Sequence, residues 1–95
     1  IQVNIGNENQ KSGINIEEID KLVTYCKKIH LNVIGLMCIP PFENDTFVYF
    51  EQMKKLSKNY NFNELSMGMS SDYLDAVQNS ATFLRIGSSI FGKRY

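Results

Sequence analysis

ELSMGMSSDYLDAVQNSATFLRIGSSI, residues 64–90, is the stretch whose reading decides the fold. ELSMGM (64–69) reads as a short strand. SSDYLDAVQNSA (70–81) reads as a helix capped by Ser70, Ser71 or Asp72, with Leu74, Ala76, Val77 and Ala81 as its inner face. FLRIGSSI (83–90) follows as a further strand, with Phe83, Leu84 and Ile86 reading as buried residues. A strand, a helix and a strand in this order form a crossover unit, and crossovers join parallel neighbours.

The same alternation extends upstream. IQVNI (1–5) sets Ile1, Val3 and Ile5 against Gln2 and Asn4, the period of a strand. The polar loop GNENQKSG (6–13) leads to Asn15, a candidate N-cap with Glu18 as its capping-box partner. Ile16, Ile19, Leu22, Val23, Cys26 and Ile29 then recur at helical spacing, with charged residues opposite. NVIGLMCI (32–39) is apolar enough for a strand buried on both faces, and Pro40-Pro41 ends it. A second helix starts near Glu43–Thr46, with Tyr49, Phe50, Met53, Leu56 and Tyr60 as its stripe, a packing face rather than a ligand box.

The order βαβαβαβ predicts an α/β fold with parallel strands. A complete (β/α)8 barrel needs about 250 residues, and this chain has 95. Two architectures fit: half of such a barrel, or an open four-stranded doubly wound sheet. The loops must separate them.

Composition narrows the function. Ten basic and ten acidic residues cancel, so the basic footprint that nucleic-acid binding needs is absent. Cys26 and Cys38 stand apart with His30 as the lone histidine, too few ligands for a structural metal. Two buried, reduced thiols and no signal peptide or long apolar run predict a cytoplasmic protein without a membrane span. His30 reads as a surface residue just past a helix end. Asn44-Asp45-Thr46 matches a glycosylation sequon, a pattern short enough to arise by chance.

The chemistry concentrates in SMGMSSD (66–72) and RIGSS (85–89), each at the carboxyl end of a strand. In (β/α)8 barrels, phosphate is frequently held by the loops after the seventh and eighth strands. Gly68 lets backbone approach closely, and Ser70 offers a hydroxyl beside a helix N-terminus, although a cap alone explains Ser70 equally well. Gly87 and Ser88 can add backbone N–H groups and a second hydroxyl. Arg85 tips the balance towards a ligand. A buried arginine is costly unless paired, so it needs either an acidic partner or a polar cavity with something to bind.

ELSMGMSSDYLDAV together with FLRIGSSIFGKRY resembles the pyridoxal-phosphate homeostasis protein family, whose endings read LSMGMSxD and RIGxxIFGxR. GNENQKSGI and GLMCIPP resemble that family's fifth and sixth strand regions, so the likeness runs over nearly the whole chain. The resemblance implies the carboxyl-terminal half, strands five to eight, of a (β/α)8 TIM-like barrel of the alanine racemase N-terminal type. Residues 1–95 would then be a single partial domain. It implies pyridoxal 5′-phosphate (PLP) as cofactor, with Ser70, Gly87 and Ser88 on the phosphate and Arg85 donating to the pyridine nitrogen. An arginine does not give up its proton, so it holds that nitrogen as an unprotonated acceptor and leaves the ring a weak electron sink. The implied function is a non-catalytic PLP carrier or homeostasis protein, with no catalytic residue assigned. A fragment of a PLP-dependent racemase or aldolase is the alternative.

The pattern also departs from the family. The lysine that forms a Schiff base with PLP lies in an early strand there, and neither it nor the HxIGxLQxNK segment occurs here. Lys11 matches the KSG loop lysine instead and reads as a solvated loop residue. A half-barrel would leave IQVNI and FLRIG as unpaired edges and bare the inner face of every strand. The expected partners are therefore PLP and either the missing amino-terminal half or a second copy of the chain.

Overall fold

The computed structural model describes residues 1–9, 12–42 and 45–92. A 3-10 turn (Ile16–Glu18) leads into α1 (Ile19–Lys28), then β1 (Gly35–Met37), α2 (Thr46–Asn59), β2 (Glu64–Met69), α3 (Tyr73–Gln78), β3 (Phe83–Arg85) and a single turn, α4 (Ser88–Phe91). The sheet is parallel throughout, in the order β1-β2-β3.

IQVNI joins this sheet more narrowly than its alternation predicts. Gln2 bridges Met37 in parallel, with Val3 N–H donating to the Met37 carbonyl at 2.8 Å and Met37 N–H donating to Ile1 at 2.8 Å. On its far side the segment is not a bare edge. Ile14 pairs with Val3, donating to Gln2 at 3.0 Å and accepting from Asn4 at 2.8 Å. The loop thus folds back to satisfy backbone groups that a cut barrel would leave open. Gly13 makes this possible, because a Cβ there would lie 2.9 Å from the Asn4 nitrogen.

The core lies between the helices and one face of the sheet. Ile19 and Val23 from α1, Phe50 and Met53 from α2, and Ala76 from α3 pack with Val3, Ile5, Leu36, Cys38, Leu65 and Met67. Strand alternation sends Met37, Ser66 and Arg85 to the opposite face, where they are half-buried, and Phe83 there is 54% exposed. NVIGLMCI is therefore buried on one face only, through Leu36 and Cys38, and Ile34, on that same side but ahead of β1, is 54% exposed. Phe83 and Leu84 are likewise not core residues: Phe83 lies on the open face, and Leu84, on the helix side against Gly68, belongs to the edge strand and stays 37% exposed. On α3 only Ala76 is buried. Leu74 and Val77, expected inside, are 65% and 52% exposed.

Helix ends follow one rule. Leu31, Phe62 and Ala81 N–H groups reach back to the carbonyls of Cys26, Ser57 and Ala76 at 2.8, 2.9 and 3.0 Å. The residues just before them, His30, Asn61 and Ser80, take φ values of 61°, 57° and 72°. This is the Schellman termination, with a left-handed residue where glycine is preferred. His30 is exposed and ends α1, as the sequence suggests. Helix starts agree less well. Asn15 sits in N-cap geometry, but its side chain makes no capping bond and the Glu18 N–H donates to the Asn15 carbonyl instead. Asp45 does cap α2, accepting from Phe47 N–H at 3.1 Å. Asn44 of the sequon and Lys11 lie outside the described residues.

FLRIGSSI is shorter as a strand than expected. It stops at Arg85, and Ser88 to Phe91 turn into α4, with Ile90 and Phe91 N–H donating to the Gly87 carbonyl at 3.0 and 2.7 Å. Between β2 and β3 the register slips: Ser66 faces Phe83, but Met69 faces Arg85. The extra residue lies at Met67-Gly68. Gly68 has φ +104°, and a Cβ there would come 2.7 Å from the Ala76 Cβ and 2.9 Å from Leu84. Gly68 thus serves the bulge and the seating of α3.

Candidate functional site

The two loops meet as the sequence suggests. Met69, Ser70, Ser71, Arg85, Ile86, Gly87 and Ser88 line one open cleft of about 830 Å³, with Phe42 and Phe91 at its sides. That volume is within the range of small-molecule sites. All four candidate residues, Ser70, Arg85, Gly87 and Ser88, lie on it.

Ser70 joins the loops directly. Its hydroxyl oxygen accepts from Ser89 N–H at 3.1 Å, so the hydroxyl hydrogen remains free to donate. Ser70 is not the helix cap. Asp72 precedes α3, and its carboxylate turns back to accept from Met69 N–H at 2.8 Å, fixing the loop at the end of β2. Gly87 and Ser88 begin α4, and among the described residues their backbone N–H groups donate to no carbonyl. Gly87 has no need of its missing side chain for packing, since a Cβ there would meet nothing within 4 Å.

Arg85 answers the question of its own burial with neutral partners. Its guanidinium donates to the Ser66 hydroxyl and, at 2.8 Å, to the Cys38 carbonyl. No acidic partner bonds it among the described residues. Its Nε is buried and has no hydrogen-bond partner. The side chain lies across the open face of the sheet, over β2 towards the end of β1, with two of its five N–H donors used. Ser66 and Cys38 were not legible as site residues, and neither was the Ser89 N–H. Ser66 alone carries a signal, being a hydroxyl among the apolar residues Leu65, Met67 and Met69.

Cys38 itself is inert. Burial pushes its thiol up from 9.0 to about 12, against the opposing pull of Arg85. Its sulfur belongs to the core and only its carbonyl serves the cleft. No group of three or more possible metal ligands occurs among the described residues, and none of their helices is long and apolar enough to cross a membrane.

No family model matches the chain. Curated relatives do. A pyridoxal phosphate homeostasis protein of Aquifex aeolicus is 39% identical across 99% of this chain and 46% of its own length. One of Haemophilus influenzae is also 39% identical, across 99% of this chain and 44% of its own. The chain resembles part of a pyridoxal phosphate homeostasis protein. Among solved structures, PipY of Synechococcus elongatus without PLP superposes with a TM-score of 0.79 at 30% identity, over 97% of this chain and 48% of PipY. PipY with PLP bound gives 0.74 at 28% identity, over 97% and 47%. The chain thus spans about half the length of the pyridoxal phosphate homeostasis proteins it matches. Between the two architectures open at the outset, this decides for the half-barrel: a parallel α/β piece of a larger barrel, not a complete small sheet.

Proposed function

We propose that this chain carries the phosphate and ring-nitrogen subsites of a non-catalytic PLP-binding homeostasis protein. One observation carries the reading. The cleft gathers donors that are not consumed by the protein: the Ser70 hydroxyl hydrogen, the Gly87 and Ser88 N–H groups, and the terminal N–H groups of Arg85 that Ser66 and Cys38 leave unused. The first three suit a phosphate, in the loop arrangement and beside the short extra helix that barrels of this type use. The last suits an acceptor such as an unprotonated pyridine nitrogen.

Bound PLP supplies an aldehyde for reversible capture of amines and a ring that withdraws electrons. The residues here would grip and orient it. A guanidinium at the ring nitrogen cannot protonate it, which restrains that withdrawal and favours holding over turnover. Two free, buried cysteines are what a cytoplasmic location favours.

The single partial domain is also proposed to need the rest of the barrel. Its exposed surface is 6792 Å², about 1,200 Å² above the roughly 5,600 Å² expected of a 10.9 kDa monomer. That excess exceeds the ~800 Å² each partner gives to a standard interface.

Equilibrium dialysis with PLP and with phosphate-free pyridoxal tests the reading. It is run on the chain alone and on the chain with a polypeptide supplying the other barrel half. PLP should bind at least tenfold more tightly than pyridoxal. No PLP binding in either case, or equal binding of pyridoxal, overturns it.

A further inference from the structure

We infer that Ser66 is a positioning residue: its hydroxyl sets the Arg85 guanidinium so that the terminal N–H groups left unused serve the ligand's ring nitrogen. This rests on the PLP reading above and adds to it a residue on a different strand from Arg85.

The geometry carries the argument. Arginine has five N–H donors in a rigid planar fork, so fixing one terminal nitrogen and then the other fixes the plane. Here one terminal nitrogen donates to Ser66 on β2 and the other to the Cys38 carbonyl past β1. With both ends tied, the directions of the remaining terminal N–H groups are no longer free. The register slip at Met67-Gly68 sets Arg85 opposite Met69 while its side chain reaches back to Ser66. Without that hydroxyl, the guanidinium would keep one tie and could pivot about the Cys38 carbonyl.

The chemistry of the ties matters as much as their number. A serine hydroxyl and a peptide carbonyl accept hydrogen bonds without adding charge. The guanidinium therefore presents its full positive charge to the ring, which favours the unprotonated nitrogen. A carboxylate in the place of Ser66 would hold Arg85 equally well but would cancel that charge. Ser66 thus contributes position while leaving the electrostatics intact.

Three substitutions separate these effects: Ser66→Ala, Ser66→Thr and Ser66→Asp. PLP labelled with 15N at the ring is titrated against each, with the other barrel half present as above, and its nitrogen shift followed with pH. Exchange of the Arg85 Nε–H is followed in the same samples without PLP. Ser66→Ala should weaken PLP about tenfold or more and speed the Nε–H exchange, and Ser66→Thr should restore both. Ser66→Asp should keep the exchange slow but raise the pH at which the ring nitrogen loses its proton. Unchanged affinity and exchange in Ser66→Ala overturn the positioning role while leaving the PLP reading intact. If the unmodified protein fails to bind PLP, the PLP reading falls. Exchange in Ser66→Ala then shows only whether Ser66 holds Arg85, and the ligand-directed role falls too.

Discussion

The Arg85 guanidinium donates to the carbonyl oxygen of Cys38 at 2.8 Å, although the two residues are 47 apart in sequence and a full strand lies between them. One side chain therefore spans three neighbouring strands of the sheet. Arg85→Ala should lower stability by about 1–3 kcal/mol, since it leaves a half-buried carbonyl and hydroxyl without their charged donor. Arg85→Lys should not restore it, because an ammonium cannot form the two-ended fork. Urea unfolding of both variants checks this, and recovery in the lysine variant would contradict it.

Gly68 and Gly87 look alike in sequence and should behave oppositely. Gly68→Ala must place a Cβ 2.7 Å from the Ala76 Cβ, at a φ of +104°, and should cost about 2 kcal/mol or more. Gly87→Ala meets nothing within 4 Å at an ordinary φ of −123°, and should change stability by less than about 0.5 kcal/mol. If Gly87→Ala nonetheless weakens PLP binding, the loss reports contact with the ligand. Thermal melts beside ligand titrations distinguish the two.

The ends of α1, α2 and α3 offer room for improvement. His30, Asn61 and Ser80 hold left-handed backbone without being glycine, a conformation that costs about 1–2 kcal/mol for an ordinary residue and less for asparagine. Ser80→Gly and His30→Gly should raise the melting temperature, each adding roughly 0.5–1 kcal/mol, and Asn61→Gly should add least. A fall in melting temperature for Ser80→Gly would show that its backbone conformation is not what limits that turn.

Alkaline pH should loosen the fold through Cys38. Its folded thiol holds the proton more tightly than the unfolded one, so this contribution is complete below pH 9 and is lost as pH rises towards 12. The full shift corresponds to about 4 kcal/mol. Stability measured against pH should fall across this window, and Cys38→Ala should fall less steeply. At pH 8, thiol reagents should reach Cys38 only on unfolding. Rapid labelling of the folded protein would count against the buried assignment.

Alone, the chain should associate or lack cooperative unfolding. Ile34, Phe83, Leu74 and Val77 are all more than half exposed, apolar area that small soluble monomers rarely leave in contiguous patches. Sedimentation at low micromolar concentration decides. A compact, cooperatively unfolding monomer of 10.9 kDa would remove the need for another half.

The alternation of strands and helices was readable because periods of 2 and 3.6 are local properties of the chain. Ala76, Phe50 and Met53 took their expected places for that reason. Leu74, Val77 and Ile34 did not, because whether an apolar residue is covered depends on a layer that need not lie in the same segment. The end of β3 differs from the sequence pattern on similar grounds. Ile86 and Ile90 look like strand residues, yet Gly87 opens a helical turn between them and the chain folds towards Ser70. Ser70, Gly87 and Ser88 could be gathered from loop position alone. The partners of Arg85 could not, since one is a carbonyl and the other depends on a register slip created by the φ of Gly68.

That slip has a consequence for how the sheet opens. β2 is paired on both sides, whereas β3 keeps two register pairs, an exposed face and the bonds of Thr82 to Leu65. Local opening should therefore begin at β3, with its amides exchanging with solvent before those of β1 and last of all β2. The cleft draws Ser70 from just beyond the most protected strand and Arg85, Gly87 and Ser88 from the least. Half of the site is thus in place before the other half settles. A ligand that bridges the two would slow exchange along β3 far more than anywhere else in the chain.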